Sequence, residues 1–423
     1  MGQSELALPP LGEVPETMTA MAIRSERMGT VRDAFQPEEL PVPRPGPRDV
    51  LIAVMAAGVN YNNVWAALGH PIDVIARRQR AGEPHDFHIG GSDAAGIVWA
   101  TGDDVDTVSV GDEVVIHPGV WDPHDPWISD GGDPMIAPSA KIWGYDTNFG
   151  AFAQFALVAE HQCLPKAPHL TWEEAAAPTL VGTTAYRMLL GWPECKVEPD
   201  DLVLVWGGSG GLGSQAIQLV KASGGRVVAV VSSQERGKYC EDLGADGWVD
   251  RREFDHWGPL PEPEDAAGYR SWIGGAKSFQ KAVKSAAGTS KDPKIVFEHP
   301  GAATIPTSVL VCAPGGMVVI CAATTGFKAT LDLRYQWTQQ KRLQGSHGTN
   351  HKQAIAYNDL VRAGSISPCL ADTLRFDQIP QAHHQMAEGE DILGNLSILI
   401  NAEEPGLGRD PNWNEEKIAG DRA

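Results

Sequence analysis

The sequence predicts an α/β protein in which a doubly wound parallel sheet is inserted between two parts of a β-rich domain. Three observations lead there. The apolar run Leu202-Val203-Leu204-Val205-Trp206 is followed by Gly208-Ser209-Gly210-Gly211-Leu212-Gly213 and then by a helical stretch, Ser214 to Ser223. With the next strand, Arg226 to Val231, this fits in about 30 residues, the size of one βαβ unit. Further apolar strands at 247–250, 294–298 and 316–320 alternate with helical intervals, the pattern of a parallel sheet covered on both faces. Before about Leu190 and after Gly345, short strands and turns dominate instead.

Taken in order, residues 1–19 are rich in Pro and Glu and are expected to form a loose lead-in. Asp49 to Ala57 is mostly apolar and bounded by turn residues, which predicts a buried strand; Asp112 to His117 predicts another. Thr171-Trp172-Glu173-Glu174 opens a helix, with Thr171 as N-cap and Glu174 closing a capping box. A helix near Gln353 to Ala363 and a strand at Ser397 to Ile400 complete the chain. The expected domains are 20–195 with 346–423 for the β-rich substrate domain, and 196–345 for the dinucleotide domain. The stretch Arg252 to Pro293, longer than a plain connection and rich in Trp and Pro, is expected to be an interface or ligand-binding elaboration. His383 and His384 are expected on a solvated face.

Charge narrows the partners. The 423 residues carry 34 Lys+Arg against 54 Asp+Glu, a net charge of -20, which repels nucleic acid and anionic membranes. An anionic substrate must therefore meet a local basic cluster. The six cysteines (Cys163, Cys195, Cys240, Cys312, Cys321 and Cys369) form no Cys-x-x-Cys pair, as expected of a reducing compartment. Neither a secretory signal nor an apolar stretch of membrane-spanning length is present, so a cytoplasmic protein is expected.

The glycine turn carries the first chemistry. Gly208, Gly210 and Gly213 fill the G-x-G-x-x-G pattern between a strand and a helix, where free N–H groups at the helix start can take a pyrophosphate. Ser209, Gly211 and Leu212 complete the turn. An NAD site usually sets an acid at the end of the second strand to bind the ribose 2′-hydroxyl. Here that strand ends in Ser232-Ser233, followed by Arg236 and, further on, Arg251; hydroxyls and guanidinium groups suit a 2′-phosphate, so NADPH is the expected cofactor. His299 follows a parallel strand at the cofactor edge and is a further candidate contact.

This layout resembles the medium-chain dehydrogenase/reductase superfamily, which implies a Rossmann domain beside a GroES-like substrate domain. Zinc members of that superfamily carry a Cys after the first strand and a Gly-His-Glu motif. The matching positions here hold Asn60 and Ser92, and the four-cysteine structural zinc lobe is absent, so no metal is expected. By resemblance, zinc-free members reduce activated C=C bonds, where a conjugated carbonyl stabilises the developing anion.

Longer segments resemble the crotonyl-CoA carboxylase/reductase family: Gly58 to Trp65, Ile142 to Gly150, Leu170 to Ala176, Trp206 to Gly213, Val296 to Gly301 and Lys341 to His347. The resemblance spans nearly the whole chain. It implies hydride reduction of a short-chain α,β-unsaturated acyl-CoA at the β-carbon, followed by capture of CO2 at the α-carbon. It further implies a CO2 site of Asn62 (or Asn60), Tyr145, Asp146 and His347, with Asp146 standing where the family more often has Glu. Arg334, Lys341 and Arg342 are the expected cluster for the CoA phosphates, with Arg77, Arg78 and Arg80 as a second basic group. Superfamily resemblance implies a homodimer or homotetramer. Two other outcomes stay open: reduction without carboxylation, motivated by the shorter Asp146, and a non-catalytic NADPH-binding protein.

Overall fold

The computed structural model describes residues 8–390 and 392–413. The chain forms two compact units, one of residues 1–183 with 348–423 and one of residues 184–347. The first boundary therefore lies inside the helix Thr179–Leu190 rather than at 195/196, because that helix runs on without a break.

The 184–347 unit is a six-stranded, all-parallel sheet. Its spatial order is Gly247–Asp250, Arg226–Val231, Leu202–Trp206, Ile295–Glu298, Met317–Ile320 and Arg342–Gly345. This is the doubly wound order in which the sequence direction reverses between the first and fourth strands, so a crevice opens at their carboxyl ends. Leu202–Trp206 is buried at every position, as a central strand covered on both faces must be. The Trp- and Pro-rich stretch needs correction. Half of it is an ordinary crossover helix, Ala266–Ala286, which buries Trp272, Ala276, Phe279 and Val283 in the core. Those residues recur at the spacing of one helix face.

The other unit is β-rich. A seven-stranded sheet runs Cys163–Pro165, Glu113–Ile116, Ala94–Thr101, Asp49–Gly58, Asn395–Leu399 and Leu370–Arg375, with Phe155–Ala159 also pairing with Asp49–Gly58. A three-stranded sheet centres on Thr17–Arg24. The lead-in expectation is corrected from Leu8 onward: Leu8 and Val14 pack on the core, and the strand begins at Thr17. Thr171 caps the helix Trp172–Ala176 as its sequence requires, its Oγ1 accepting from Glu174 N at 3.3 Å while Glu174 Oε2 accepts from Thr171 N at 2.9 Å. His383 is also corrected. Its ring is fully buried between Phe35 and Phe152 and donates to the Ile379 carbonyl at 2.8 Å.

Candidate active site

In the dinucleotide unit the glycines of the turn have different tasks. Gly210 is the N-cap of the helix Gly211–Ala222, and a Cβ there would meet only Gly207 O, at 3.7 Å. That open ground above the N–H groups of Gly211, Leu212 and Gly213 is the approach a pyrophosphate needs. Gly208 and Gly213 instead serve packing: a Cβ on Gly208 would lie 2.6 Å from Ala229 Cβ, and one on Gly213 would lie 2.3 Å from Gly207 O. Gly207, which the motif alone did not single out, has φ +58 and takes the left-handed step that starts the turn.

The end of the second strand carries hydroxyl and guanidinium groups. Ser233 caps the next helix, its Oγ accepting from Arg236 N at 3.2 Å, and Arg236 Nη1 donates to Ser209 Oγ at 3.1 Å. Arg236 thus joins the glycine turn to the site where a 2′-phosphate would fall. Arg251 is exposed at the end of the third strand; the neighbouring Asp250 is bound by Arg252 at 2.7 Å. Asp250 therefore already has a cationic partner. At the crevice, His299 donates through Nε2 to Trp206 O at 3.1 Å, and burial pushes its ring down to about 4, so it is neutral. Its turn is tied by Glu298, whose buried carboxyl accepts from Gly301 N and Ser308 Oγ, each at 2.9 Å, and from Thr304 Oγ1. Burial raises Glu298 to about 7 despite those donors.

In the β-rich unit, glycine contacts bring distant segments together. A Cβ on Gly144 would lie 2.0 Å from Gly91 O, and one on Gly150 would lie 2.4 Å from Gly90 O. Backbone can lie against backbone only because these side chains are absent. The turn bearing Tyr145 and Asp146 is thereby pressed against the segment bearing Ser92. Asn62 Nδ2 donates to Ser92 Oγ at 2.8 Å, and Asn62 Oδ1 accepts from Asn63 Nδ2 at 2.9 Å. Asn63 in turn accepts from Gly91 N at 3.1 Å, and Gly90 leaves the room for its oxygen. Asn60 is buried, and its Nδ2 donates to Asp93 Oδ2 at 2.8 Å; Asp93 Oδ1 takes Leu180 N at 2.6 Å. Burial holds the Asp93 carboxyl well above its usual range, against the pull of those two donors. Among the described residues, no group of three or more His, Cys, Asp or Glu could hold a metal ion.

Comparison with known proteins shows the family. Residues 46–168 match the alcohol dehydrogenase GroES-like domain, and residues 211–363 match a model described as zinc-binding dehydrogenase. A crotonyl-CoA carboxylase/reductase from Cereibacter sphaeroides is 47% identical over 400 residues, spanning 95% of this chain and 91% of the relative. The chain belongs to the crotonyl-CoA carboxylase/reductase family. A crotonyl-CoA reductase of Streptomyces collinus is 39% identical, over 92% of this chain and 86% of its own. The crotonyl-CoA carboxylase/reductase AntE in complex with NADP superposes with a TM-score of 0.91 at 50% identity, covering 94% of this chain and 98% of that one. The 2-octenoyl-CoA carboxylase reductase CinF in complex with NADP and 2-octenoyl-CoA gives 0.86 at 36% identity, over 96% of this chain and 92% of its own.

Within this family member, Asn62, Tyr145 and Asp146 share one unit, whereas His347 ends the other. Tyr145 is half-buried, and burial followed by the Asp146 charge raises its phenol. His347 is exposed, directly after the strand Arg342–Gly345, whose ladder Ser346 continues by donating to Ile320 O at 2.8 Å. One expectation is overturned. Lys341 is buried, with its ammonium donating to Val309 O at 2.7 Å and Leu310 O at 3.0 Å, so its charge is engaged in capping the helix Ile305–Val311. Arg334 is exposed but forked onto Asp332 at 2.6 and 2.9 Å. Arg342 is exposed and lines an open groove of about 500 Å³ with Leu333, Gln336, Trp337, Gln340 and part of Lys341. Ser92 and Asn63 are hydrogen-bonded neighbours of Asn62 that the sequence did not assign. Ser92 had been noticed only as a missing ligand, and Asn63 has no local signal beyond its place beside Asn62.

Proposed function

We propose that the protein reduces a short-chain α,β-unsaturated acyl-CoA, crotonyl- or acrylyl-CoA, with NADPH and lets the resulting enolate attack CO2. The observation that carries this is the fixed amide of Asn62. One N–H is bound to Ser92, a position where zinc relatives carry a metal ligand, the oxygen accepts from Asn63, and the second N–H is left to donate. The carboxylase/reductase named above, matched over 95% of the chain, supports the same reading.

NADPH, when bound, supplies the hydride that adds to the β-carbon. The alkene electron pair passes to the α-carbon and thioester oxygen, and the α-carbon then forms a bond to the carbon of CO2, leaving a carboxylate. CO2 offers only weakly basic oxygens, so it needs preset neutral donors and exclusion of water. Asn62 donates to one CO2 oxygen, and the family resemblance implies His347 as a second donor. The Tyr145 ring walls the pocket, and Asp146 orders its turn. Asn60 acts at one remove, through Asp93. Gly208 to Gly213 cradle the pyrophosphate, His299 borders the nicotinamide, and Ser232, Ser233, Arg236 and Arg251 take the 2′-phosphate. Arg342, helped weakly by Arg334, meets the CoA phosphates. Six free cysteines agree with a cytoplasmic enzyme, which we expect to be a homodimer or homotetramer.

A second reading, reduction with protonation alone, is favoured by one observation: Asp146 stands where the family more often has Glu, and its side chain is one methylene shorter. Incubation with NADPH, crotonyl- or acrylyl-CoA and labelled bicarbonate decides between them. Label in the acyl product is expected; NADPH oxidation without label at saturating CO2 selects the second reading. Tight NADPH binding without turnover on any enoyl-CoA defeats both.

A further inference from the structure

The turn that carries Tyr145 and Asp146 is tied to a neighbouring helix through the Asp146 carboxylate. Asp146 Oδ2 accepts from Ile142 N at 2.8 Å, closing its own turn, and Oδ1 accepts from Arg77 Nη2. The Asp146 side chain is 12% exposed and Arg77 38%, so the pair is shielded on the carboxylate side. Arg77 comes from a firm base. Its helix, Val74–Arg80, starts with Asp73 Oδ1 accepting from Ala76 N at 2.9 Å. The neighbouring Arg78 is buried and donates to Phe87 O at 2.8 Å and Glu83 Oε1 at 3.0 Å. The turn grips the same strand from its other end, since Asn148 donates to Phe87 O at 3.1 Å and accepts from Ile89 N at 2.9 Å. Helix and turn thus share one anchor, the strand Phe87–Ile89, and Arg77 bridges the two.

We propose that Arg77 is a positioning residue that, through Asp146, sets whether the enolate is captured by CO2 or by a proton. This rests on the function proposed above. Asp has one methylene fewer than Glu, so its carboxylate closes on its own turn and takes a cation from a neighbouring helix. Held in this ion pair, it is kept from gathering water at the pocket. Without Arg77 the carboxylate loses its counter-ion, gathers water, and loosens the Tyr145 wall.

The test uses the full-length enzyme with Arg77→Gln, Arg77→Lys, Asp146→Asn and the Arg77→Gln/Asp146→Asn double variant. The readout is the ratio of carboxylated to protonated product per NADPH consumed, which normalises out any general loss of rate. Arg77→Gln should lower the ratio about tenfold or more, within the roughly hundredfold that a misplacement of about 1 Å can cost. Arg77→Lys should restore most of it, and Arg77→Gln should add nothing on the Asp146→Asn background. An unchanged ratio in Arg77→Gln, or fully additive effects in the double variant, overturns the proposal. If the wild-type enzyme incorporates no labelled bicarbonate, the carboxylation reading fails by itself. Arg77 is then judged by deuterium delivery to the α-carbon in D2O: one face in the wild type and mixed faces in Arg77→Gln support its positioning role. Identical facial selectivity in both overturns it.

Discussion

Two alanine substitutions in the glycine turn should fail in opposite ways. At Gly210 the backbone is extended (φ -82, ψ 176), which any residue tolerates, and the added methyl would meet only Gly207 O at 3.7 Å. Gly210→Ala should therefore cost about 1 kcal/mol of stability or less, the scale of an N-cap change. The methyl would nevertheless stand where the pyrophosphate must approach, so NADPH affinity should fall at least about tenfold, or about 1.4 kcal/mol. At Gly213 the methyl would lie 2.3 Å from Gly207 O and 2.6 Å from Gly208 Cα, both backbone atoms that cannot swing aside. Overpacking of that kind costs about 2 kcal/mol, which lowers Tm by about 4–8 °C in a unit of this size. Thermal unfolding of the free protein and fluorescence titration with NADPH separate the two effects. Gly210→Ala that binds NADPH like the wild type would show that the cofactor phosphates lie elsewhere. Gly213→Ala with an unchanged Tm would refute the close approach of helix and turn.

Three further outcomes follow from the structure. Arg236→Ala should weaken NADPH about 10- to 100-fold, the range of a lost charge-assisted contact, and leave NADH nearly unchanged; equal loss for both cofactors in a binding titration would move the 2′-phosphate away from Arg236. Lys341→Met removes the donor to Val309 O and Leu310 O and should cost about 1–3 kcal/mol in denaturant unfolding while the KM for the acyl-CoA stays put; a large KM change would return Lys341 to the substrate. Burial depresses His383 to about 4 in the folded chain, so the unfolded state binds the extra proton as pH falls below about 6.5. Stability should then decline by up to about 1.4 kcal/mol per pH unit from this ring between pH 6.5 and about 4, and His383→Phe should remove that share of the slope in urea melts at stepped pH. An unaltered slope would mean that the ring is hydrated.

What the chain alone determined were features written in neighbouring residues. The run Leu202–Trp206, the glycine turn, the Thr171–Glu174 capping box and the missing acid after Val231 each depend on spacing within one turn or strand, and each stands where the sequence put it. The absent zinc ligands at Asn60 and Ser92 were equally legible, because a ligand type is a property of the residue itself. Tertiary structure decided the rest. Lys341 and Arg342 are adjacent cations in the sequence, yet one lies under a helix end and the other in water. His383 and His384 look alike, but only the former is enclosed by Phe35 and Phe152, which come from far earlier in the chain. The pairings Asn60 with Asp93, Asn62 with Ser92 and Arg77 with Asp146 join residues that no local pattern relates. A charge or an amide takes its meaning from what excludes water around it, and at each of these positions the enclosing atoms arrive only when the sheets close.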